Sequence, residues 1–372
     1  MKKQKTAVII SGGGTGGHIF PAVAIAKGIQ EKYPDAEILF VGAKGRMEMD
    51  KVPAAGFKIE GLWISGLQRG SIFKNLLFPF KVIFSVFKAL RIIRKFKPDV
   101  AVGVGGYASG ALLYAATMKK IPALIQEQNS FPGITNKVLK DRVQRICVAY
   151  DNMDKFFPKD KIILTGNPVR KEITKLEGKK ERGLEKFNLD KNRLVVLVVG
   201  CSLGARSINH AIDGDLQKFA DADVQLIWQT GKLYTEEAKK RVAEVGKNGI
   251  MSFDFITDMD LAYAAADFVI GRAGAMTVAE LTAVGLPACF VPLPIGNGEQ
   301  SLNATPVVDA GGALMISDLE FNAEYVRDQI LPVISNSTKL NEMAKASSSL
   351  GHKDSAADLA KLVLSVVGKA KS

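Results

Sequence analysis

Cysteine is scarce: Cys147, Cys201 and Cys289 are the only three in 372 residues, odd in number and far apart. No metal-binding spacing links them and they offer no disulfide framework, which suits a reducing cytoplasm. Cys201 stands in a glycine loop, either as a thiol acidified by a helix N-terminus or as a small loop residue. The start, MKKQKTAVII, is basic but has neither a long apolar core nor a small-residue cleavage site, so no secretion signal is read. No apolar run crosses a bilayer uninterrupted. The most apolar stretch carries six basic residues between Phe80 and Lys97, each costing about 2.5–3.5 kcal/mol near the bilayer centre. Acidic residues are missing altogether from Gly61 to Pro98, where eight basic ones stand. These 38 positions hold eight of the twelve net positive charges and leave +4 (12 − 8) for the rest of the chain. Such concentration argues for a surface contact and against a nucleic-acid partner, which would call for basic residues spread along the chain.

Glycine is plentiful, and its clustering decides the reading. The chain is organised around TAVIISGGGTGGHIFPAVAIAK, residues 6–27. Ala7 to Ile10 is a buried strand, SGGGTGGH is a loop, and a helix runs from Ile19 to Lys27 with Pro21 tolerated in its first turn. Without Cβ atoms the loop can lay its amides against a ligand, and a helix N-terminus favours negative charge. Gly12, Gly14 and Gly17 satisfy the dinucleotide fingerprint. The acidic residue that should follow the second strand, Ile38 to Gly42, is absent, which argues against NAD. Lys44 and Arg46 leave an NADP phosphate open. His18, which the fingerprint does not require, is either a general base beside an anion site or a histidine that only bonds its loop.

Residues 46–70 read as loop and short elements. The segment 71–97 then places Lys74, Lys81, Lys88 and Lys95 seven apart, with Lys81, Lys88, Arg91 and Lys95 as a basic stripe on an otherwise apolar helix. It is either a helix presenting apolar and basic residues to an anionic membrane surface, at about 1 kcal/mol per cation, or a domain helix with a solvated lysine edge. Val100 to Gly106 is a second strand running into glycines, with a helix at Ala111 to Met118. Ala123 to Ile125 is a strand that ends at Gln126, Glu127, Gln128 and Asn129, where open α/β sheets bind ligands. Gly166 to Pro168 is a candidate hinge, and the charged residues 171–193 have the look of a surface connection. At Leu194 the opening pattern returns: LVVLVVG, the loop GCSLGA and a helix. The fold class is therefore α/β, two Rossmann-like doubly wound domains. GRAGAMTVAEL, 271–281, is a third strand-to-helix turn. Its Glu280 could reach a sugar diol or could simply favour the helix dipole.

These motifs, GGTGGHIFPAVAIA (13–26), KPDVAVGVGGYASG (97–110), QEQNSFPGITNK (126–137), TGNPVR (165–170), GCSLGARSIN (200–209) and GRAGAMTVAEL with GLPACFVPLP (271–294), resemble the MurG family of bacterial cell-wall glycosyltransferases over nearly the whole chain. The resemblance implies the GT-B fold, two parallel-sheet domains facing across a cleft. The first is expected over 1–166, joined by a C-terminal helix at about 353–372, and the second over 167–352. The implied activity is inverting transfer of GlcNAc from UDP-GlcNAc to the 4-hydroxyl of undecaprenyl-diphospho-muramoyl-pentapeptide, in peptidoglycan synthesis. For the donor it implies Ile256 through its backbone at uracil, Glu280 at the ribose, Ser202 with Ala275, Met276, Thr277, Val278 and Ala279 along the diphosphate and sugar, and Gln300 at the GlcNAc hydroxyls. Thr15, Gly16, Gly17, Asn129 and Arg170 complete the donor set. His18 is the candidate base, with Glu127 as another. Gly14, Gly105, Gly106 and Tyr107 are the candidate acceptor contacts. The acceptor lipid also favours the membrane reading of 71–97, hence a peripheral place on the cytoplasmic face of the cell membrane. No Asp-x-Asp pair is read at a strand end in the second half, so no obligatory metal or other cofactor is expected.

The sequence departs from the family at Cys201 and Leu203, where relatives usually have GGSQGAR, and at GEQSLNA, 298–304, which keeps only Gln300 of a usual glutamine pair. Rival readings are a UDP-sugar 2-epimerase of the same fold or another glycolipid glycosyltransferase, an NADP oxidoreductase, and a non-catalytic peripheral membrane protein.

Overall fold

The computed structural model describes residues 5–66, 76–200, 204–294 and 296–371, with only the backbone at 368–371. The chain forms two compact units, 1–170 with 354–372, and 171–353.

In the first unit, short β-branched runs are buried on both faces, as parallel strands must be. β1 (Ala7–Ser11), β2 (Glu37–Ala43), β3 (Lys58–Leu62), β4 (Val100–Gly103), β5 (Ala123–Glu127), β6 (Arg145–Val148) and β7 (Ile162–Leu164) make one parallel sheet in the order β3-β2-β1-β4-β5-β6-β7. The order reverses between β1 and β4, the point at which such sheets open a crevice at their carboxyl ends. Both glycine loops leave from that point.

The helices are α1 (Gly16–Lys32), α2 (Glu48–Ala54), α3 (Phe78–Phe96), α4 (Tyr107–Met118) and α5 (Ile134–Leu139). α1 begins three residues earlier than the sequence suggests. Gly16, Gly17 and His18 form its first turn, and Pro21 lies inside the helix. The reason is Thr15, whose extended backbone makes it the N-cap, so the glycines belong to the helix rather than to the loop before it. α4 likewise starts at Tyr107. β5 continues through Gln126 and Glu127, which are buried strand residues. The stretch 46–70, read as loop and short elements, contains α2 and β3, while 67–75, with Lys74, lies outside the described residues.

The second unit repeats the plan. β8 (Val195–Val199), β9 (Gln225–Gln229), β10 (Ile250–Phe253), β11 (Phe268–Gly271), β12 (Ala288–Phe290) and β13 (Ala313–Met315) pair in the order β10-β9-β8-β11-β12-β13, all parallel. Its reversal lies between β8 and β11. α6 (Arg206–Gly214), α7 (Met259–Ala265), α8 (Ala275–Val284) and α9 (Glu299–Asp309) follow β8, β10, β11 and β12. Residues 171–193 are no loose connection. They contain helical segments at Lys171–Thr174 and Lys180–Lys186 that pack on α7, where a Cβ at Gly183 would lie 2.5 Å from the Leu261 carbonyl oxygen.

The last helix, α10 (Ser355–Lys371), belongs to the first unit. Its Leu359, Ala360 and Val363 join Val8, Ile10 and Ile25 in one core, and Gly28 of α1 lets it approach: a Cβ there would sit 2.8 Å from the Ala356 carbonyl oxygen.

Candidate functional site

In the first unit the loops after β1 and β4 press together. A Cβ at Gly106 would lie 2.5 Å from the Gly13 carbonyl oxygen, and one at Gly105 would lie 2.6 Å from the His18 ring. Gly14, Gly105 and Gly106 all have positive φ (+90°, +103° and +86°). Glycine is therefore required here by conformation as well as by space. The N-termini of α1 and α4 consequently open at one place. Neither helix has an acidic residue in its first turn or a side-chain cap, so their first amides remain for an anion.

His18 stands in the first turn of α1 with its ring against Gly105. Its Nδ1 is buried and has no hydrogen-bond partner among the described residues. Burial pushes its pKa below the ordinary 6.5, while the charges of Glu127 and Glu48 and a hydrogen bond with the Gly13 backbone push the other way. A neutral imidazole at pH 7 is the result, the form a general base needs.

The two carboxylates near His18 are fully engaged. Glu127 accepts from the Asn129 amide (3.0 Å), the Gly133 amide (3.1 Å) and Asn136 Nδ2 (2.8 Å), so it shapes the 128–133 loop and aims Asn129. Those donors occupy both oxygens, which disfavours Glu127 as the base. Glu48, wholly buried, accepts from the amides of Gly14 and Ala43, each at 3.0 Å. The Gly14 amide thus turns inward, away from any ligand. Sequence reasoning missed Glu48 because nothing in the local pattern at 46–50 separates it from a solvated helix-start glutamate.

The polar cluster at the end of β5 is structural. Gln126 Nε2 donates to Asn167 Oδ1 (3.0 Å), Asn167 Nδ2 donates to the Gln128 carbonyl oxygen (2.9 Å), and Gln128 Nε2 donates to that of Val104 (3.0 Å). Asn167, in the candidate hinge, is thereby pinned within the first unit, whose boundary falls after Arg170. The Arg170 guanidinium lies 5.1 Å from the Phe20 ring centre. Tyr107 opens α4 and sets its ring edge-on to Phe78 at 6.2 Å. Thr15 and Gly17 are exposed.

In the second unit α8 starts at Ala275 behind Gly274, again with no first-turn acid and no side-chain cap. Val278 is a core residue, so only its backbone could serve a ligand, whereas Met276, Thr277, Ala279 and Glu280 are partly exposed. Glu280 Oε2 accepts from the Tyr263 hydroxyl at 3.0 Å, which fixes the carboxylate. The Ile256 amide donates to Gln229 Oε1 at 2.9 Å, leaving its carbonyl oxygen as the backbone group for a base edge. Gln300 Oε1 accepts from the Leu293 amide at 2.9 Å, which turns its NH₂ outward as a donor. Arg272, buried, ties the loop before α8 in place: it donates to the carbonyl oxygen of Val291 (3.0 Å), to Ser207 Oγ (3.0 Å) and to Asp318 Oδ1. Ser202, Cys201 and Leu203 lie outside the described residues.

Asp258-Met-Asp260 spells Asp-x-Asp at the start of α7, five residues past the end of β10 at Phe253 and not at a strand end. The two carboxylates point to Lys186 (2.9 Å) and Lys179 (2.7 Å) and hold the 171–186 segment. Among the described residues no group of three His, Cys, Asp or Glu side chains is arranged to hold a metal ion. Burial pushes the Cys147 and Cys289 thiols up to about 12.

On α3, Phe80, Ile83, Phe84 and Phe87 are each 52–66% exposed. An apolar groove of about 610 Å³ runs between α3, α4 and α5, lined by Val86, Tyr114, Ile134 and Val138 among others. A second, of about 1270 Å³, has Trp63 and Phe84 beside Lys58, Lys88, Arg91 and Lys95. The basic stripe is partly folded down. Lys81 Nζ donates to Ser65 Oγ (2.9 Å) and Lys88 Nζ to the Gly61 carbonyl oxygen (2.6 Å), while Arg91 and Lys95 stay exposed. Among the described residues no helix is long and apolar enough to cross a membrane.

Comparison with known proteins supplies the context for this geometry. Residues 8–148 match the glycosyltransferase family 28 N-terminal domain and residues 195–362 its C-terminal domain. A relative from Parabacteroides distasonis, named UDP-N-acetylglucosamine--N-acetylmuramyl-(pentapeptide) pyrophosphoryl-undecaprenol N-acetylglucosamine transferase, is 47% identical over 98% of this chain and 100% of its own. One of the same name from Christiangramia forsetii is 51% identical over 87% of each chain. The crystal structure of Acinetobacter baumannii MurG superposes with a TM-score of 0.78 at 29% identity, covering 97% of this chain and 99% of that one. The two parallel-sheet units, their repeated glycine loops and these near full-length matches together mean that the chain belongs to glycosyltransferase family 28 and, within it, to the MurG family of GT-B fold.

Proposed function

We propose that the chain is the hexosyltransferase that moves N-acetylglucosamine from UDP-N-acetylglucosamine onto the 4-hydroxyl of N-acetylmuramyl-(pentapeptide) pyrophosphoryl-undecaprenol, with inversion, in peptidoglycan-precursor synthesis. The observation that carries the reading is the convergence of the α1 and α4 N-termini on His18, in a chain matched end to end by transferases of that name. The first unit serves the acceptor. Its diphosphate sits over the amides at the starts of α1 and α4, near Gly105, Gly106 and Tyr107, and His18 takes the proton of the attacking hydroxyl. General-base help of this kind is worth about 10²–10⁴-fold.

The second unit serves the donor. Glu280, held by Tyr263, accepts from the ribose hydroxyls, the Ile256 carbonyl oxygen meets uracil, and Gln300 offers its NH₂ to the sugar. The α8 N-terminus spreads the charge of the leaving diphosphate. The apolar residues of α3, with Arg91 and Lys95, rest on an anionic membrane surface on the cytoplasmic face, where such an acceptor lipid is anchored.

The test is transfer of labelled GlcNAc to a short-chain acceptor lipid, with and without EDTA, by wild type and His18→Ala. Transfer that survives EDTA and falls about 10²-fold or more in the variant supports the whole reading. Undiminished transfer by His18→Ala removes His18 from catalysis. Formation of UDP-ManNAc in place of a transfer product would mean an epimerase.

A further inference from the structure

Two glycines of the first unit have no room for a side chain for the same reason. A Cβ at Gly13 would fall 2.2 Å from Glu48 Oε1, and one at Gly42 would fall 2.6 Å from Glu48 Cγ. The Glu48 side chain therefore fills the space beneath the first glycine loop. It is wholly buried, and its two oxygens are divided between two elements: Oε2 accepts from the Gly14 amide and Oε1 from the Ala43 amide, both at 3.0 Å. Gly14, with φ of +90°, has turned its N–H inward to reach this carboxylate. The bond from Ala43 is buried and that from Gly14 partly so; a buried amide that loses its acceptor costs about 1–3 kcal/mol, and a partly buried one less.

A carboxylate behind an anion site needs a reason. We propose that Glu48 is the positioning residue of the acceptor site: it draws Gly13 and Gly14 down onto β2, and so fixes the height at which the first turn of α1 and His18 meet the acceptor. The inference rests on the proposed transferase reading for the identity of that acceptor. Three contacts carry it. Glu48 holds Gly14, Gly13 abuts Gly106, and the His18 ring abuts Gly105, so the loop is clamped between α2 and the start of α4. Charge works in the same direction. When the imidazole accepts a proton it becomes a partly buried cation, and the groups that face it are the carboxylates of Glu48 from α2 and Glu127 from β5. Both favour that cation, as a buried carboxylate partner favours a protonated base.

Glu48→Gln and Glu48→Asp in the full chain test this. Glutamine presents an NH₂ to one of the two amides in place of an acceptor, and removes the charge. Aspartate keeps the charge but, one methylene shorter, cannot reach both amides. In Glu48→Gln, amide hydrogen exchange across residues 12–19 should quicken while β8 to β13 exchange as before. The acceptor kcat/KM should fall about 10–100-fold, as a displacement of about 1 Å predicts, with the KM for UDP-GlcNAc altered less than about twofold. The acid limb of the rate profile should move to lower pH, because a carboxylate that raised the His18 pKa is gone. Glu48→Asp should restore the acid limb but not the slow exchange. Unchanged exchange at 12–19 in Glu48→Gln, or acceptor and donor constants that fall together, would overturn the proposal. The exchange arm does not depend on catalysis, so it decides the role of Glu48 even if wild type transfers nothing, an outcome that would count against the transferase reading alone. If Glu48→Gln does not fold, the same exchange comparison in Glu48→Asp decides.

Discussion

The close approach of the two first-unit glycine loops makes a graded prediction from three glycines. Gly133 caps α5 with φ of −64°, and a Cβ there would meet nothing within 4 Å. Gly14 has φ of +90° but is equally open. Gly106 has φ of +86° and ψ of 165°, and its Cβ would lie 2.5 Å from the Gly13 carbonyl oxygen. Alanine at Gly133 should leave stability within about 0.5 kcal/mol, because the loss at an N-cap is offset by a less flexible unfolded chain. At Gly14 it meets only backbone strain, about 1–2 kcal/mol. At Gly106 it meets strain of about 1–3 kcal/mol and an overlap. Ordinary contact begins at 3.4 Å, so the loops must part by 0.9 Å (3.4 − 2.5), which adds about 1–3 kcal/mol as overpacking does. Urea midpoints should therefore fall in the order Gly133→Ala, Gly14→Ala, Gly106→Ala. Transfer should be lost most in the last, by about 10²-fold for a displacement near 1 Å. If Gly106→Ala unfolds at the same urea concentration as Gly133→Ala, the two loops do not touch in solution and the acceptor site described above is wrong.

Other expectations follow from the same geometry. Glu280→Gln keeps the shape of the side chain but weakens a charge-assisted bond to the ribose, so the KM for UDP-GlcNAc should rise about 10-fold, and an unchanged KM would remove Glu280 from the donor site. Ser in place of both Phe84 and Phe87 should lower binding to vesicles rich in anionic lipid without changing the melting temperature, since both rings are mostly exposed; equal sedimentation with vesicles would refute the surface role of α3. Burial holds the His18 pKa below its unfolded value, so the unfolded chain binds the extra proton first as pH falls. The contribution of neutral His18 to stability is present above pH 6.5 and is lost on acidification towards its folded pKa. His18→Ala should flatten the wild-type decline in melting temperature below pH 6.5, and an identical decline in the variant would mean that the fold does not lower the His18 pKa.

The fold was legible because it is written in repeated local patterns. AVIIS and LVVLVV are apolar on both faces, a pattern that only a covered parallel strand satisfies, and each is followed at once by glycines and a helix. Edges were less legible. α1 begins at Gly16 because Thr15 takes the cap position, a matter of one residue's backbone that propensity does not weigh, since glycine is a poor helix former. Within 46–70 the type and bounds of α2 and β3 are not legible, because EMDKVPA and KIEGL are short and mixed, and it is the neighbouring strand that makes β3 a strand. Gln126 and Glu127 are polar and so hide the end of the strand, yet they are buried in β5, where Gln126 bonds Asn167, 41 residues on, and Glu127 bonds Asn129, Gly133 and Asn136 of the loop and helix that follow.

That last difference explains what the sequence could and could not say of the site. Residues that would touch a ligand lie in glycine-rich motifs, since close approach needs absent side chains, and motif and chemistry coincide there. Residues that hold those motifs in place carry no such mark. Glu48, Glu127, Gln229 and Arg272 act on Gly14, Asn129, Ile256 and the turn before α8, respectively, and in two of these pairs the partners are 27 and 34 residues apart. Their recognition depends on sheet order, which brings the end of β2 beside the loop after β1. Any sequence argument that begins from local spacing will therefore find the surface a substrate meets before it finds the buried acceptors and donors that give the surface its shape. The converse also holds: a polar residue that is wholly buried, as Glu48 is, beside a glycine that tolerates no Cβ, marks a place where the backbone itself has been aimed.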